Sequence, residues 1–205
     1  MIDSLRAKWD RASRTYDWTT RSDDFRFAAA KRHLFGRMRG RCLMLATGTG
    51  SDFRHFPPGL SVTAIDISPA MLDRARERAR AYEGRLDLVR MDARALAFAD
   101  RSFDTVVAVC TFCSVPDPVR GLRELHRVLR PAGRLLLFEH VRSRLAPLGI
   151  MQDLLTPITR RFGPDMNRET VANAERAGFR VVREENVYLD VMKAVEAVPE
   201  SAPCW

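Results

Sequence analysis

From residue 41 onward, short apolar runs alternate with stretches whose nonpolar residues recur three and four apart. That alternation predicts a parallel sheet covered by helices. Strands are expected at 42–46 (CLMLA), 61–65 (SVTAI), 86–90 (LDLVR), 104–109 (DTVVAV) and 134–139 (RLLLFE). The runs "VVAV" and "LLLF" are apolar without a break, as in strands buried on both faces. Two more runs, 179–185 and 188–197, follow each other closely enough to pair antiparallel at one edge.

The helices between them are punctuated. Ser68-Pro69 sets a capping hydroxyl before a proline at the first helical position, and the helix is expected to run toward Gly84. Asp117-Pro118 repeats the device, Val119, Leu122, Leu125 and Val128 form one stripe, and Arg130-Pro131 closes it. Asn167 reads as a third cap, with Gly178 suited to the left-handed position after the helix. Two segments stand outside the alternation: a helical, aromatic-rich leader at 3–36, and "RSRLAPLGIMQDLLTPITRRF" at 142–162, apolar in its middle and basic at its ends. Pro147 and Pro157 are expected to limit a long helix there. The chain is read as one domain over 1–205: a leader or lid at 1–40, a ligand-binding core at 41–141, a substrate-side insertion at 142–166, and a last helix with edge strands at 167–198.

Composition narrows the class. The 205 residues suffice for one domain with a proper core, and 46% hydrophobic with 29% charged residues excludes collagenous, low-complexity and disordered chains. No signal-like apolar stretch follows the basic start and no apolar run is long enough to span a bilayer, so a cytoplasmic protein is expected, with peripheral membrane contact allowed. Cys42, Cys110, Cys113 and Cys204 are too few and too irregular for a disulfide framework. The net charge of +8 comes almost wholly from arginine, which reads as a solvated basic surface of arginine-biased composition or as a match for an anionic membrane surface. Nucleic acid is not expected, because the arginines are dispersed and no aromatic-interleaved basic motif accompanies them.

Chemistry concentrates after the first strand. In "LMLATGTGSD", Gly48 and Gly50 let the backbone turn tightly against a ligand, and Asp66 follows 18 residues after Gly48 at the end of the next strand. An acidic side chain at that point accepts hydrogen bonds from ribose hydroxyls. The third glycine of a dinucleotide fingerprint is replaced by Phe53, which favours a ligand with a ribose and no pyrophosphate and argues against a nicotinamide dinucleotide. Asp92 adds a carboxylate at the same sheet edge. Cys110 and Cys113 form a single CxxC pair with no second pair, so no metal site is expected. His140 and Tyr16 are the candidate catalytic side chains, one to orient or deprotonate an acceptor, the other to close over the reacting group.

Together "LATGTGSDF", "VTAIDISPAMLDRAR", "VRMDARALAFADRSFDTVVAV" and "LRELHRVLRPAGRLLLFEH" resemble class I S-adenosylmethionine-dependent methyltransferases. The resemblance is strongest to the quinone-biosynthesis C-methyltransferases, the bacterial phospholipid N-methyltransferases and the alkyl thiol methyltransferases, through Tyr16-Asp17, "FPPG" at 56–59, "CSV" at 113–115 and Glu139-His140. It implies an α/β, Rossmann-like fold with a seven-stranded, mostly parallel sheet, an antiparallel last strand and helices on both faces. It also implies roles: Thr47, Gly48, Thr49 and Gly50 beneath the cofactor's amino-acid end, Asp66 and Ile67 at the ribose, Asp92 and Ala93 at the adenine edge. Met71 is then expected against the adenine face, and Cys110 and Thr111 below the sulfonium.

The resemblance further implies methyl transfer from S-adenosyl-L-methionine, releasing S-adenosyl-L-homocysteine, to a small-molecule or lipid acceptor. The basic surface favours a phosphatidylethanolamine-type amine, with a thiol or a quinol carbon as alternatives and a noncatalytic cofactor-binding protein as the reading of another class. One position departs from the family: Met44 stands where relatives carry Asp or Glu, and Asp52 and Asp17 are the expected replacement charges.

Overall fold

The structure, a computed structural model, describes residues 2–162 and 164–200. Seven strands, β1 (Arg41–Leu45), β2 (Ser61–Asp66), β3 (Arg85–Arg90), β4 (Phe103–Val109), β5 (Leu129–His140), β6 (Phe179–Tyr188) and β7 (Met192–Pro199), form one sheet in the order β3-β2-β1-β4-β5-β7-β6. The first five are mutually parallel, and β7 runs antiparallel to both β5 and β6. The fold implied by the sequence is therefore present, including the antiparallel last strand.

Burial explains why the central strands read as unbroken apolar runs. Side chains alternate across a strand, and here each face meets its own layer. Leu43 and Leu45 of β1 join Val106, Leu135 and Leu137 on one side, packed under Leu122, Leu125 and Val128 of α5 (Pro118–Val128) and Ala174 of α7 (Thr170–Arg176). Cys42 and Met44 join Val107, Leu136 and Phe138 on the other, under Leu34 and Phe35 of α3 (Ala28–Phe35) and Ala75 of α4 (Pro69–Ala79). The chain reverses its direction of travel across the sheet between β1 and β4, which opens a crevice at their carboxyl ends. The leader supplies α1 (Ile2–Ala12) and α2 (Tyr16–Arg26).

Several expectations need correction. α4 stops at Ala79, short of Gly84, and Tyr82 folds back so that its hydroxyl donates to Pro57 O and accepts from Leu60 N. β5 starts at Leu129 instead of 134, because Leu129 pairs with Phe103 ahead of a register shift. The cap of α7 is Glu169, without a side-chain hydrogen bond, since the carboxamide of Asn167 donates to Asp153 instead. Gly178 adopts φ +92° as expected.

The largest correction is the insertion, which forms a 17-residue helix, α6 (Ala146–Phe162), running through Pro157. Pro147, at its second position, removes no intrahelical bond. Pro157 does remove one, yet the segment is held by Gln152, whose side chain accepts from Ser143 N and donates to Val141 O and Met166 O. Among the described residues no helix is long and apolar enough to cross a membrane.

Candidate active site

The glycine loop is a chain of left-handed residues: Ala46, Gly48 and Gly50 have φ of 45°, 56° and 78°. Thr47 N donates to Ile65 O at 2.9 Å, tying the loop to the end of β2. A Cβ at Gly50 would lie 2.6 Å from the Phe53 ring and 3.2 Å from the Ala75 backbone, so glycine is required there by space as well as by φ. Phe53, at the position of the third glycine, packs into the core cluster with Phe35, Phe56 and Ala75. The loop leads into a short 3-10 turn, Ser51–His55, so no regular α-helix begins there to receive a pyrophosphate.

Asp66 sits at the carboxyl end of β2, 6% exposed, and accepts from Gly48 N at 2.8 Å and Ser68 N at 2.9 Å. Burial raises its pKa against the opposing pull of these amides. Each oxygen keeps a further acceptor direction for a ligand hydroxyl. Asp92 is held by the backbone N–H and guanidinium of Arg94 at 2.8–3.1 Å. Desolvation opposes ionisation there, but the Arg94 bonds prevail and keep the carboxyl below its ordinary range.

The leader roofs this region. The Tyr16 ring lies 3.6 Å from where a Gly48 Cβ would stand, with Trp9 edge-on to it at 6.3 Å between centroids. Asp17 accepts from Thr49 Oγ1 at 2.5 Å and from Arg78 at 2.9 Å, while Arg78 also donates to Thr49 O at 2.7 Å. Asp10 accepts from Ser68 Oγ, the cap of α4, at 2.5 Å. The roof is therefore tied to the glycine loop and to the helix after Asp66 by carboxylate bonds.

Beneath it lies a cavity walled by the leader on one side and by the carboxyl ends of the strands on the other. Of the residues singled out in the sequence, Tyr16, Gly48, Asp66, Ile67, Met71, Asp92, Ala93, Cys110 and Thr111 line it. Thr47, Thr49 and Gly50 are buried in the loop behind that lining. His140 is not part of the lining; it is half-buried at the end of β5, where desolvation lowers its pKa and leaves the ring neutral near pH 7. Leu5, Trp9 and Arg94 also line the cavity, and no local motif singled them out.

The sequence marks Glu139 only as the neighbour of His140; its place in the site comes from long-range bonds. It is 1% exposed; Oε1 accepts from Thr111 N at 2.8 Å and Phe112 N at 3.2 Å, and Oε2 has no protein partner. Burial pushes its pKa up to about 7, with the loop amides pulling the other way. It fixes the loop that carries Cys110 and Thr111 into the cavity. Desolvation, then the Glu139 charge, pushes the Cys110 thiol up to about 12, and burial also raises the Tyr16 phenol. Both stay protonated near neutral pH, so neither is an activated nucleophile. Cys113 Sγ lies 3.0 Å from Cys110 O, and no cluster among the described residues is suited to a metal.

Met44 is 1% exposed in the core and does not line the cavity. Asp52 is paired with Lys31 at 2.8 Å and Asp17 with Arg78, and neither carboxylate reaches the cavity lining. The expected replacement charges are thus already neutralised by protein cations.

The cavity offers glycine backbone, an uncompensated acceptor at Asp66, a compensated one at Asp92 and apolar walls at Ile67 and Met71. That donor and acceptor set fits an adenine nucleoside bearing a short polar tail. Residues 43–137 match the methyltransferase domain family. The chain is 34% identical over 171 residues to the thiol S-methyltransferase TMT1B of Homo sapiens, covering 76% of this chain and 69% of that protein. It is 36% identical over 126 residues to a phosphatidylethanolamine N-methyltransferase of Cereibacter sphaeroides, covering 60% and 62% of the two chains. Over 145 residues it is 41% identical to the ubiquinone/menaquinone biosynthesis C-methyltransferase UbiE of Bradyrhizobium diazoefficiens, covering 68% and 56%. A solved S-adenosylmethionine-dependent methyltransferase of Thermotoga maritima shares the fold, with a TM-score of 0.73 at 20% identity over 96% of this chain and 100% of that one.

Proposed function

The chain belongs to the class I S-adenosylmethionine-dependent methyltransferases, and on that premise we propose that its acceptor is lipid-like, a phosphatidylethanolamine-type amine in preference to a thiol or a quinol. S-adenosylmethionine, when bound, supplies a methyl group already activated on a sulfonium and leaves as S-adenosylhomocysteine. The protein's task is then alignment of donor and acceptor for in-line displacement. In this reading Asp66 and Ile67 hold the ribose, Asp92, Ala93 and Met71 the adenine, and Thr47 to Gly50 the amino-acid end. Tyr16 closes the roof, and Cys110 and Thr111 form the floor below the reacting centre. His140, neutral near pH 7, takes the proton from an acceptor that arrives as an ammonium ion.

The observation that supports a lipid acceptor is the outer face of α6. Ile150, Met151, Leu154, Leu155 and Ile158 are all exposed, Leu154 at 72%, with Arg144 and Arg161 exposed at either end. This helix follows β5, so it stands at the sheet edge that carries the cavity. Trp18 and Phe25 of α2, 81% and 89% exposed, extend the apolar surface of the roof. A helix with an apolar face and arginines at its border suits the interface of an anionic bilayer. The longer alignment with a thiol S-methyltransferase favours the second reading, a hydrophobic thiol.

A methyl-transfer screen with labelled cofactor decides between them: phosphatidylethanolamine vesicles, aliphatic thiols and quinols as acceptors, each product extracted and weighed. Label in the phospholipid supports the proposal. Turnover of soluble thiols with none on vesicles reverses it.

A further inference from the structure

A second cleft opens beside the cofactor cavity, between α1 and the end of α6. Its walls carry Lys8, Arg11, Arg160, Arg161 and Arg168 and, among the described residues, one carboxylate, Asp165. It shares Leu5, Ser114 and Pro116 with the cofactor cavity, so the two spaces adjoin along the loop after β4.

The cations are not simply a solvated surface. Asp165 is 5% exposed, and its backbone N–H donates to Cys113 O at 2.8 Å, which fixes it to that loop. Its carboxylate bonds Arg160 Nε at 2.8 Å and Arg168 at 2.7 Å, so one buried anion orients two guanidiniums. Arg168 also contacts Val115 O at 3.3 Å, and its Nε, out of contact with solvent, has no protein acceptor. Arg11 and Arg161 are exposed, and no ion pair engages either among the described residues. Among the described residues, one carboxylate faces the four arginines of the cleft, and preset guanidiniums match phosphate oxygens in forked pairs.

We propose that this cleft binds a phosphate-type anion, the phosphodiester or phosphomonoester of the acceptor, and so seats the acceptor's nucleophile at the mouth of the cofactor cavity beside Ser114. As a substrate site it rests on the phospholipid reading above; as an anion site it stands without it. The shared chemistry is the phosphate group, whether it belongs to a lipid headgroup or is free in solution.

The test compares the wild type with Arg11→Ala/Arg161→Ala, and with Arg76→Ala/Arg85→Ala, which removes the same charge from a remote exposed surface. Calorimetry at low salt, with S-adenosylhomocysteine present, titrates glycerophosphoethanolamine and inorganic phosphate. The expected result is binding by the wild type and the remote variant, and at least tenfold weaker binding by the cleft variant, with cofactor affinity unchanged in all three. Tighter binding of the phosphodiester assigns the cleft to a headgroup, and equal or tighter binding of inorganic phosphate to a free phosphate group. On phosphatidylethanolamine vesicles the cleft variant should show a KM raised tenfold or more at unchanged kcat. No phosphate binding by the wild type, or equal losses in both variants, overturns the proposal. Phosphate binding without phosphatidylethanolamine turnover would leave the cleft standing and remove the acceptor, whereas turnover with an unchanged KM would do the reverse.

Discussion

Asp66 carries several functions on one carboxylate. It accepts from Gly48 N and Ser68 N and faces the cavity, so Asp66→Ala removes a ligand acceptor and also leaves two amides unpaired. A hydrogen bond to a charged group contributes about 1.5–3 kcal/mol, and calorimetry should show S-adenosylmethionine bound at least tenfold more weakly. This residue was legible because a strand-end acid after a glycine loop has a local spacing. Glu139 is marked beside His140, but its role was not legible, since its partners Thr111 and Phe112 are 28 and 27 positions away and meet it only across β4 and β5. Its raised pKa has a consequence for stability. Between the ordinary glutamate value of 4.5 and about 7 the folded state keeps a proton that the unfolded chain releases. Stability from this group is therefore fully present below that window, falls as pH rises through it, and is constant above. Glu139→Gln should flatten this fall, read as a smaller difference in melting temperature between about pH 4.5 and about pH 7.5. Met44→Asp tests the other buried position. A carboxylate there would be desolvated among the apolar side chains of Phe27, Phe35 and Phe53, so a loss of about 3–5 kcal/mol in denaturant unfolding is expected, with Met44→Leu tolerated.

At the scale of elements, the leader is more tightly fastened than its composition suggests. α2 is joined to the glycine loop through Asp17, Thr49 and Arg78, and α1 to the cap of α4 through Asp10. Asp17→Ala should weaken cofactor binding severalfold in calorimetry while costing less than about 1 kcal/mol in unfolding, because the pair is partly exposed. The strands and the capped helices α4 and α5 follow local rules, Ser68 and Asp117 each accepting from the third residue onward, and were legible for that reason. α6 and the start of α7 were not. Gln152 and Asp153 hold segments on either side of α6, and these tertiary bonds outweigh the local signals of Pro157 and Asn167. His140, at the end of β5, lies outside the cavity lining, and its role toward the acceptor is part of the proposal. His140→Gln should lower kcat for protonated amines and leave cofactor affinity unchanged, measured by steady-state rates beside calorimetry.

For the whole molecule, sheet order, cavity, apolar α6 and basic cleft all lie toward the carboxyl edge of the strands. The parallel order of the sheet was legible in the alternation of apolar runs; the convergence of the roof, α6 and the cleft was not, because it depends on how three distant segments meet. A cavity, an apolar helix face and a cleft with four arginines on one side of the molecule are what the proposed reading, a substrate held in an anionic interface, requires. The most direct measurement is a competition in one vessel. Wild-type protein, labelled S-adenosylmethionine, an uncharged aliphatic thiol and vesicles of phosphatidylethanolamine with phosphatidylglycerol are incubated together, and initial rates into each product are compared. The account predicts that label enters the phospholipid faster than the thiol and that Asp66→Ala suppresses transfer. Label entering the thiol while the phospholipid stays unmethylated would contradict it.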